Sequence, residues 1–429
     1  MAEKKQYPFL QSLRINKVRH LKNLDIEIDA NRPRNLILTG PNGCGKTSVL
    51  FFLKQHLEGV PDQKLLQLEA DRQLIENLNN QIENLEKQQK DSSDNRQEAV
   101  LQGQIQQMEL ELLGTKRRIA AFEGLVTKIR GLKQLVDLYH QGKFLIAFFD
   151  AKRTAVMQAV TGVQKMSLPK VSPIAPSQDS LSSKFLQYLV NQVNRQAMLH
   201  QKGEEEGVQE IERWMTDLTQ RFRTLFQNES LELKYDIDEM DFHICMPGRE
   251  PFRFVNNELS DGFSAVIQII SELLLRMEAV SKGDYSMPGI VLIDEIETHL
   301  HIELQKVILP FLTDFFPNIQ FIVTTHSPFV LTSLPDAVVF DLQSQKREES
   351  MAPLSAGTVV EEYFESDLYS GESKRMIGRF EALVKKETLS DAEQDELNRL
   401  KQHLEVLDYD DAPELVAHYR QLVASERPK

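Results

Sequence analysis

Two cysteines, Cys44 and Cys245, are all that 429 residues contain. They cannot build a disulfide framework, and the expectation is a reducing, cytoplasmic setting. Long apolar runs are missing too. No stretch reaches the roughly 20 residues that a bilayer span requires. The polar start, Met1-Ala-Glu-Lys-Lys-Gln, is no signal peptide. Membrane is therefore not an expected partner. Excess positive charge is also lacking: 50 Lys and Arg stand against 64 Asp and Glu, a net charge of −14. A protein that coats nucleic acid needs the opposite sign. A local basic patch stays open, because Lys4, Lys5, Arg14, Lys17, Arg19, Lys22, Arg32 and Arg34 fall in the first 35 residues. DNA thus stays among the candidate partners. No internal repeat is present.

What is there reads as α/β. Leu13, Ile15 and Val18, then Leu24, Ile26 and Ile28, alternate as two half-buried antiparallel strands do. Leu36-Ile-Leu-Thr39 is a short buried strand, and Lys46 to Leu57 reads as a helix. Heptad spacing follows at Leu68, Ile75, Leu78, Ile82 and Leu85. After the polar break 90–95 it resumes at Leu101, Ile105, Met108, Leu112, Ile119, Phe122, Val126 and Ile129. Two helices joined by a polar turn fit an antiparallel coiled coil. Two core-packed helices are the alternative, which the Gln-rich outer face disfavours. Lys143 to Phe149 is of strand length, and Ser167 to Ser180 is a Pro- and Ser-rich loop. Helices are expected over Leu181–Leu199, Val208–Phe226 and Ser264–Val280. A hairpin is expected over Leu231–Tyr235 and Phe242–Met246. Strands are expected at Ile290–Ile293, Ile319–Thr324 and Ala337–Leu342, with a helix near Glu303–Phe315. The rest is helical and acidic, including Thr388–Leu407 and Ala412–Ser425.

Chemistry concentrates in four places. Gly40-Pro-Asn-Gly-Cys-Gly-Lys-Thr47 is a phosphate loop between a buried strand and a helix. Its glycines let successive N–H groups from Asn42, Gly43, Cys44, Gly45, Lys46, Thr47 and Ser48 face a phosphate chain. The helix adds its positive end. Lys46 reaches the β- and γ-phosphates, and the Thr47 hydroxyl binds Mg²⁺. Nearly 250 residues later, Ile290-Val-Leu-Ile runs into Asp294 and Glu295. An Asp at a strand end can hold Mg²⁺, and the Glu can polarise the attacking water. Thr324-Thr-His326-Ser-Pro328 places a His at another strand end, within reach of the γ-phosphate. Leu259-Ser-Asp-Gly-Phe263 precedes a long apolar helix. Ser260 there is an N-cap, or with Gly262 a second phosphate site, or both. His299 and His301 are two residues apart, so they share no helix face and make a poor metal pair. Asp150, Lys152 and Arg153 are further candidates to approach a nucleotide.

The order phosphate loop, Leu-Ser-x-Gly, Asp-Glu, His resembles ABC-type ATPases of the SMC, Rad50 and RecF kind. Closer still is the similarity to AAA-type ATPases of bacterial defence operons and to the overcoming-lysogenization-defect nucleases. Their Asp-Glu-Pro-Glu-x-His-Leu-His-Pro run and Thr-Thr-His-Ser-Pro are similar to Asp294–Ile302 and Thr324–Pro328. Ile296 and Ile302 stand where that pattern has proline, and Asp261 where many ABC proteins have glycine. The chain shows no Toprim or His-Asn-His nuclease pattern, and its hairpin is short. In this it resembles the PtuA ATPase family of Septu-type defence systems.

That resemblance implies an ABC-type P-loop head with a mixed sheet, an inserted hairpin and a C-terminal helical region. It implies ATP and Mg²⁺ as cofactors and a homodimer or higher oligomer holding ATP between protomers. Lys46, Thr47, Asp294 and Glu295 then act in cis and Ser260 in trans, beside a separate HNH-type nuclease subunit of the PtuB kind. Two alternatives remain: a RecF- or Rad50-like DNA-repair ATPase, and an ATP-gated toxin regulator. The acidity and the short arm without a Cys-x-x-Cys hook count against the first. The expected divisions are residues 1–60 (first lobe), 61–135 (hairpin), 136–230 (strand and helical insertion), 231–345 (second lobe) and 346–429 (acidic tail).

Overall fold

Alternation in the first thirty residues becomes pairing. β1 (Phe9–Val18) and β2 (Leu21–Glu27) form an antiparallel hairpin, burying Leu13, Ile15, Leu24 and Ile26 on one face. The computed structural model describes residues 7–91, 95–120, 124–153, 157–171, 174, 181–255, 261–281, 283–360, 371–386 and 390–405. β3 (Asn35–Thr39) leaves the first sheet and runs through the glycine-rich loop into α1 (Lys46–Leu57). α2 (Lys64–Asp91) and α3 (Asn95–Ala120) follow. They lie antiparallel: Asp71 pairs with Arg118 near one end, and Gln89 meets Gln102 toward the other. Leu68, Leu78, Leu101 and Ile105 are buried between mostly exposed polar positions.

The hairpin ends earlier than its heptads do. Val126 and Ile129 belong to β4 (Leu125–Arg130), which pairs antiparallel with β1, and α4 (Leu132–His140) begins inside the stretch expected as hairpin and runs past its end. Phe122 lies outside the described residues. In Leu-Val-Thr-Lys-Ile-Arg the buried positions Leu125, Thr127 and Ile129 alternate with more exposed ones, and the free edge of β1 settles the strand conformation. β5 (Leu145–Phe149) completes this half.

A short 3₁₀ turn, Leu181–Lys184, leads into α5 (Phe185–Lys202) and α6 (Glu205–Phe226). β6 (Glu232–Asp236), β7 (Asp241–Cys245) and β8 (Phe252–Arg253) make a small antiparallel sheet. Then come α7 (Asp261–Glu278), β9 (Gly289–Ile293), α8 (Ile302–Phe315), β10 (Ile319–Thr324), the single turn α9 (Pro328–Leu331), β11 (Ala337–Asp341) and β12 (Lys346–Glu348).

The central sheet has the order β12-β11-β3-β10-β9-β5, parallel except for the β11–β12 edge. It is the mixed sheet with flanking helices that the motif order implies. Its inner strands are buried on both faces, which is why they read as unbroken apolar runs. One face, with Leu36, Leu38, Leu292 and Ile322, packs on α1 and the three-stranded sheet of β2, β1 and β4. β10 lies between β3 and β9, so Thr324 ends between the phosphate loop and the acidic pair. This topology brings together motifs that the hairpin separates in sequence. Among the described residues, no helix is long and apolar enough to cross a membrane.

The expected tail boundary at 346 moves. Lys346–Glu348 is a strand of the central sheet, and Arg34 ties this segment down by donating to the Glu349 carbonyl at 2.7 Å. The chain divides at Ala356–Gly357. In the second unit, helices Gly371–Val384 and Asp391–Glu405 are joined by a bidentate Arg379–Glu396 pair. Ser390 and Glu393 exchange hydrogen bonds as a capping box. Residues 412–425, expected as a helix, lie outside the described residues.

His56 gives the head an acid-sensitive joint. It is buried at the end of α1, its Nε2 is 2.9 Å from the Thr127 hydroxyl of β4, and burial, with Arg72 nearby, pushes its pKa down to about 4. The unfolded chain takes up this proton near pH 6.5, so stability is full above that value and is lost as pH falls toward 4. The loss amounts to about 3 kcal/mol at 1.36 kcal/mol per unit. Urea unfolding from pH 7 to 4 should show it, and His56→Gln should flatten the wild-type slope over this window. Equal slopes would remove the assignment.

Candidate active site

The phosphate loop owes its shape to three glycines in left-handed conformations. Gly40, Gly43 and Gly45 have φ of 130°, 86° and 105°, values that strain any side chain. A Cβ at Gly40 would also lie 2.9 Å from Cys44 Sγ. Cys44 is buried, and that burial pushes its thiol pKa up. It is a packing residue whose backbone belongs to the loop. Asn42 and Gly43 are exposed at the tip. Lys46 is 5% exposed and donates to the carbonyls of Gly40 at 2.7 Å and Pro41 at 3.2 Å. Thr47 opens α1 with its side chain exposed, and Ser48 is buried behind it.

The two halves of the site meet at one carboxylate. Asp294 Oδ1 accepts from the Thr47 hydroxyl at 3.2 Å and from the Thr324 hydroxyl at 2.6 Å. Thr324 Oγ1 in turn accepts the Glu295 N–H at 2.7 Å. One threonine at the end of the intervening strand therefore ties both acids together. Thr324 lies in the Thr-Thr-His-Ser-Pro run, where the motif alone marks only the His. Its signal is the hydroxyl on the last residue of a strand flanked by both motifs. Burial pushes the Asp294 pKa up, against the hydrogen bonds from Thr324 and Thr47. Glu295 sits half-buried at φ 43°, in the left-handed region. It accepts from the Thr298 hydroxyl at 3.2 Å.

Arg153 takes a different role from the one expected. Expected as a group that could approach a nucleotide, it is buried, with 3% exposed. It donates to the backbone carbonyls of Asp150, Asp294, Glu295 and Ile296 at 2.6–3.2 Å. It fastens the acidic turn from behind. Burial pushes its pKa down to about 10, with Glu297, Asp150, Asp294 and Glu295 opposing the shift.

His326 presents a half-exposed ring, whose Nδ1 lies 3.0 Å from Glu297 Oε1. Gly262 lies at the start of α7, where a Cβ would come 2.6 Å from the His299 carbonyl. Close backbone approach is thus one reason for glycine there. Ser260, the candidate cap and second phosphate group, lies outside the described residues. Neither His299 nor His301 belongs to a group of metal-ligand type. Among the described residues only Asp236, Glu239 and His243 make such a group, and Arg253 already pairs with Glu239 at 2.9 Å.

Residues 218–332 match the family described as "AAA domain, putative AbiEii toxin, Type IV TA system". Its relatives are Septu PtuA proteins and retron ATPases. The Retron Vc95 probable ATPase of Vibrio cholerae serotype O1 biovar El Tor is 35% identical over 141 residues, covering 30% of this chain and 27% of that one. The Septu protein PtuA of Bacillus mycoides (strain KBAB4) is 29% identical over 167 residues, covering 36% of this chain and 23% of its own. The chain thus spans about a quarter of the length of the curated relatives it matches. Among solved structures, an Smc head domain from Pyrococcus furiosus aligns with 83% of this chain and 100% of its own, at 12% identity and a TM-score of 0.33.

Proposed function

We propose that this protein is an ATP-hydrolysing subunit of an antiviral defence complex. It works as a nucleotide sandwich of two protomers that controls a separate HNH-type nuclease. The observation that carries the ATPase reading is the Thr47–Asp294 hydrogen bond at 3.2 Å, which joins the two motifs across the hairpin. A hydroxyl and a carboxylate converging beside a phosphate loop are the oxygen donors that Mg²⁺ takes. A dication there would also favour the charged form of Asp294, which burial disfavours. Mg²⁺ supplies charge neutralisation on the phosphates.

The chain's own residues do the rest. Lys46 exchanges two loop carbonyls for β- and γ-phosphate oxygens, and the loop N–H groups of residues 42–48 cradle the chain of phosphates. Glu295 takes up a proton from the attacking water as the water oxygen bonds to the γ-phosphorus and the bond to the β–γ bridging oxygen breaks, releasing ADP and phosphate. His326 donates to a γ-phosphate oxygen. Ser260 and Gly262 of a second protomer close the site. The defence role is supported by the relatives' names. The separate nuclease is supported by the likeness to Septu PtuA proteins.

Lys46→Ala tests this reading. ATP binding should weaken at least tenfold, equivalent to about 1.4 kcal/mol or more, because both phosphate charge and loop geometry depend on the ammonium. Sedimentation with Mg²⁺ and ATP should show larger assemblies for wild type and none for the variant. A wild-type protein that neither binds ATP nor self-associates would refute the sandwich. One that cuts DNA alone with Mg²⁺ would refute the separate nuclease.

A further inference from the structure

We infer that Glu297 is a positioning residue for the proposed hydrolysis: it holds the ring of His326 by its Nδ1–H and favours the imidazolium, so that the Nε2–H is left to donate to the phosphates. The inference rests on the ATPase reading of the site. It begins from the acidic turn. Thr298 N donates to the Glu295 carbonyl and Leu300 N to that of Glu297, and His299 adopts φ 67°. This tight winding sends Glu297 inward while Glu295 stays at the surface. Glu297 is 6% exposed and His326 about half.

One oxygen, Glu297 Oε1, accepts both His326 N–H at 2.8 Å and His326 Nδ1 at 3.0 Å. Two donations from a single residue restrict the rotation of that side chain and set its tautomer. Ser327 fixes the following backbone by capping α9, accepting from Phe329 and Val330, while its hydroxyl donates to Gln305. Besides Glu297, Lys46 and Glu295 are charged groups that act on the ring.

The charges agree with this geometry. Burial opposes ionisation of Glu297, but hydrogen bonds from His326, from its own backbone and from the Thr325 side chain together outweigh it and hold the carboxyl below its ordinary range. The Glu297 bond lifts His326 above its ordinary value, against burial and Lys46 and with help from Glu295. Behind Glu297, Arg153 supplies the balancing positive charge. The series Arg153, Glu297, His326 thus carries alternating charge from the core to the surface. An imidazolium held this way is a donor at both nitrogens.

The test uses the full chain with Glu297→Gln, which keeps an acceptor of the same shape, and Glu297→Ala. His326 is followed by NMR of ¹⁵N-histidine protein without nucleotide, its signal assigned by loss in His326→Gln. In Glu297→Gln, His326 should titrate at lower pH than in wild type. ATP affinity should stay within threefold, kcat should fall at least tenfold, and the alkaline limb of the pH–rate profile should move to lower pH. Glu297→Ala should also lose the single Nδ1–H tautomer. Unchanged His326 titration in Glu297→Gln overturns the inference. Shifted titration with unchanged kcat overturns its link to hydrolysis. If wild type fails to hydrolyse ATP, the ATPase reading falls while the NMR arm still decides whether Glu297 sets His326.

Discussion

Replacing Glu295 by glutamine is expected to slow ATP hydrolysis about 10²- to 10³-fold, the range for removing a positioned general base. ATP affinity should stay within about threefold, because the side chain acts in the transition state rather than in binding. The local structure supports so selective an effect. The Glu295 N–H is held by Thr324 whatever the side chain, and a glutamine oxygen can still accept from the Thr298 hydroxyl. The left-handed φ of 43° strains Glu and Gln alike. Only the negative charge and the proton affinity are lost. The nucleotide should then be retained, and assemblies that form with ATP should persist for many wild-type turnover times. Single-turnover hydrolysis and sedimentation with Mg²⁺ and ATP measure both. A variant that turns over like wild type would remove Glu295 from its role. One whose affinity collapses with its rate would mean a broken fold.

Much of the head was legible because its signals are local. An unbroken apolar strand, a glycine-rich loop and a helix are contiguous in 36–57, and each of the strands 290–293 and 319–324 ends on its chemical residue. β4 was not legible, because Phe122, Val126 and Ile129 continue the steps of four and three that the hairpin begins. What makes 125–130 a strand is an edge supplied more than a hundred residues earlier by β1. The same limit applies in the site. Lys46, Thr47, Asp294 and Glu295 carry motif spacing. Thr324 acts through a hydroxyl placed by strand order, and that order appears only when β10 inserts between β3 and β9. Motif spacing marks Gly262 as a phosphate contact, and the close His299 carbonyl gives a second, packing reason for it. Arg153 was the hardest, since its acceptors on the acidic turn are backbone carbonyls and no residue letter marks them.

Arg153 is therefore expected to be the most stability-sensitive position in the site. Arg153→Met should cost about 3–5 kcal/mol, the range for removing one partner from a buried charged network. The guanidinium makes four donations, three of them to the successive carbonyls of Asp294, Glu295 and Ile296. The Glu295 carbonyl keeps the Thr298 N–H, but buried carbonyls left without a donor cost about 1–3 kcal/mol each, while a thioether can fill the space without donating. Glu297 and Asp294 would also lose the positive charge that offsets their burial. Arg153→Lys should recover little, because one ammonium cannot reproduce a planar fork bridging consecutive carbonyls. Urea unfolding at pH 7 measures both variants, and Arg153 remains charged there with its pKa at about 10. ATP binding at low temperature, where the variant stays folded, separates stability from function. The phosphate loop should still take up nucleotide, whereas hydrolysis should fall because Glu295 loses the backing that holds its strained conformation. Arg153→Met with wild-type stability would show that water or rearranged backbone satisfies the turn. Full hydrolysis in a destabilised variant would show instead that Thr324 alone suffices to place Glu295.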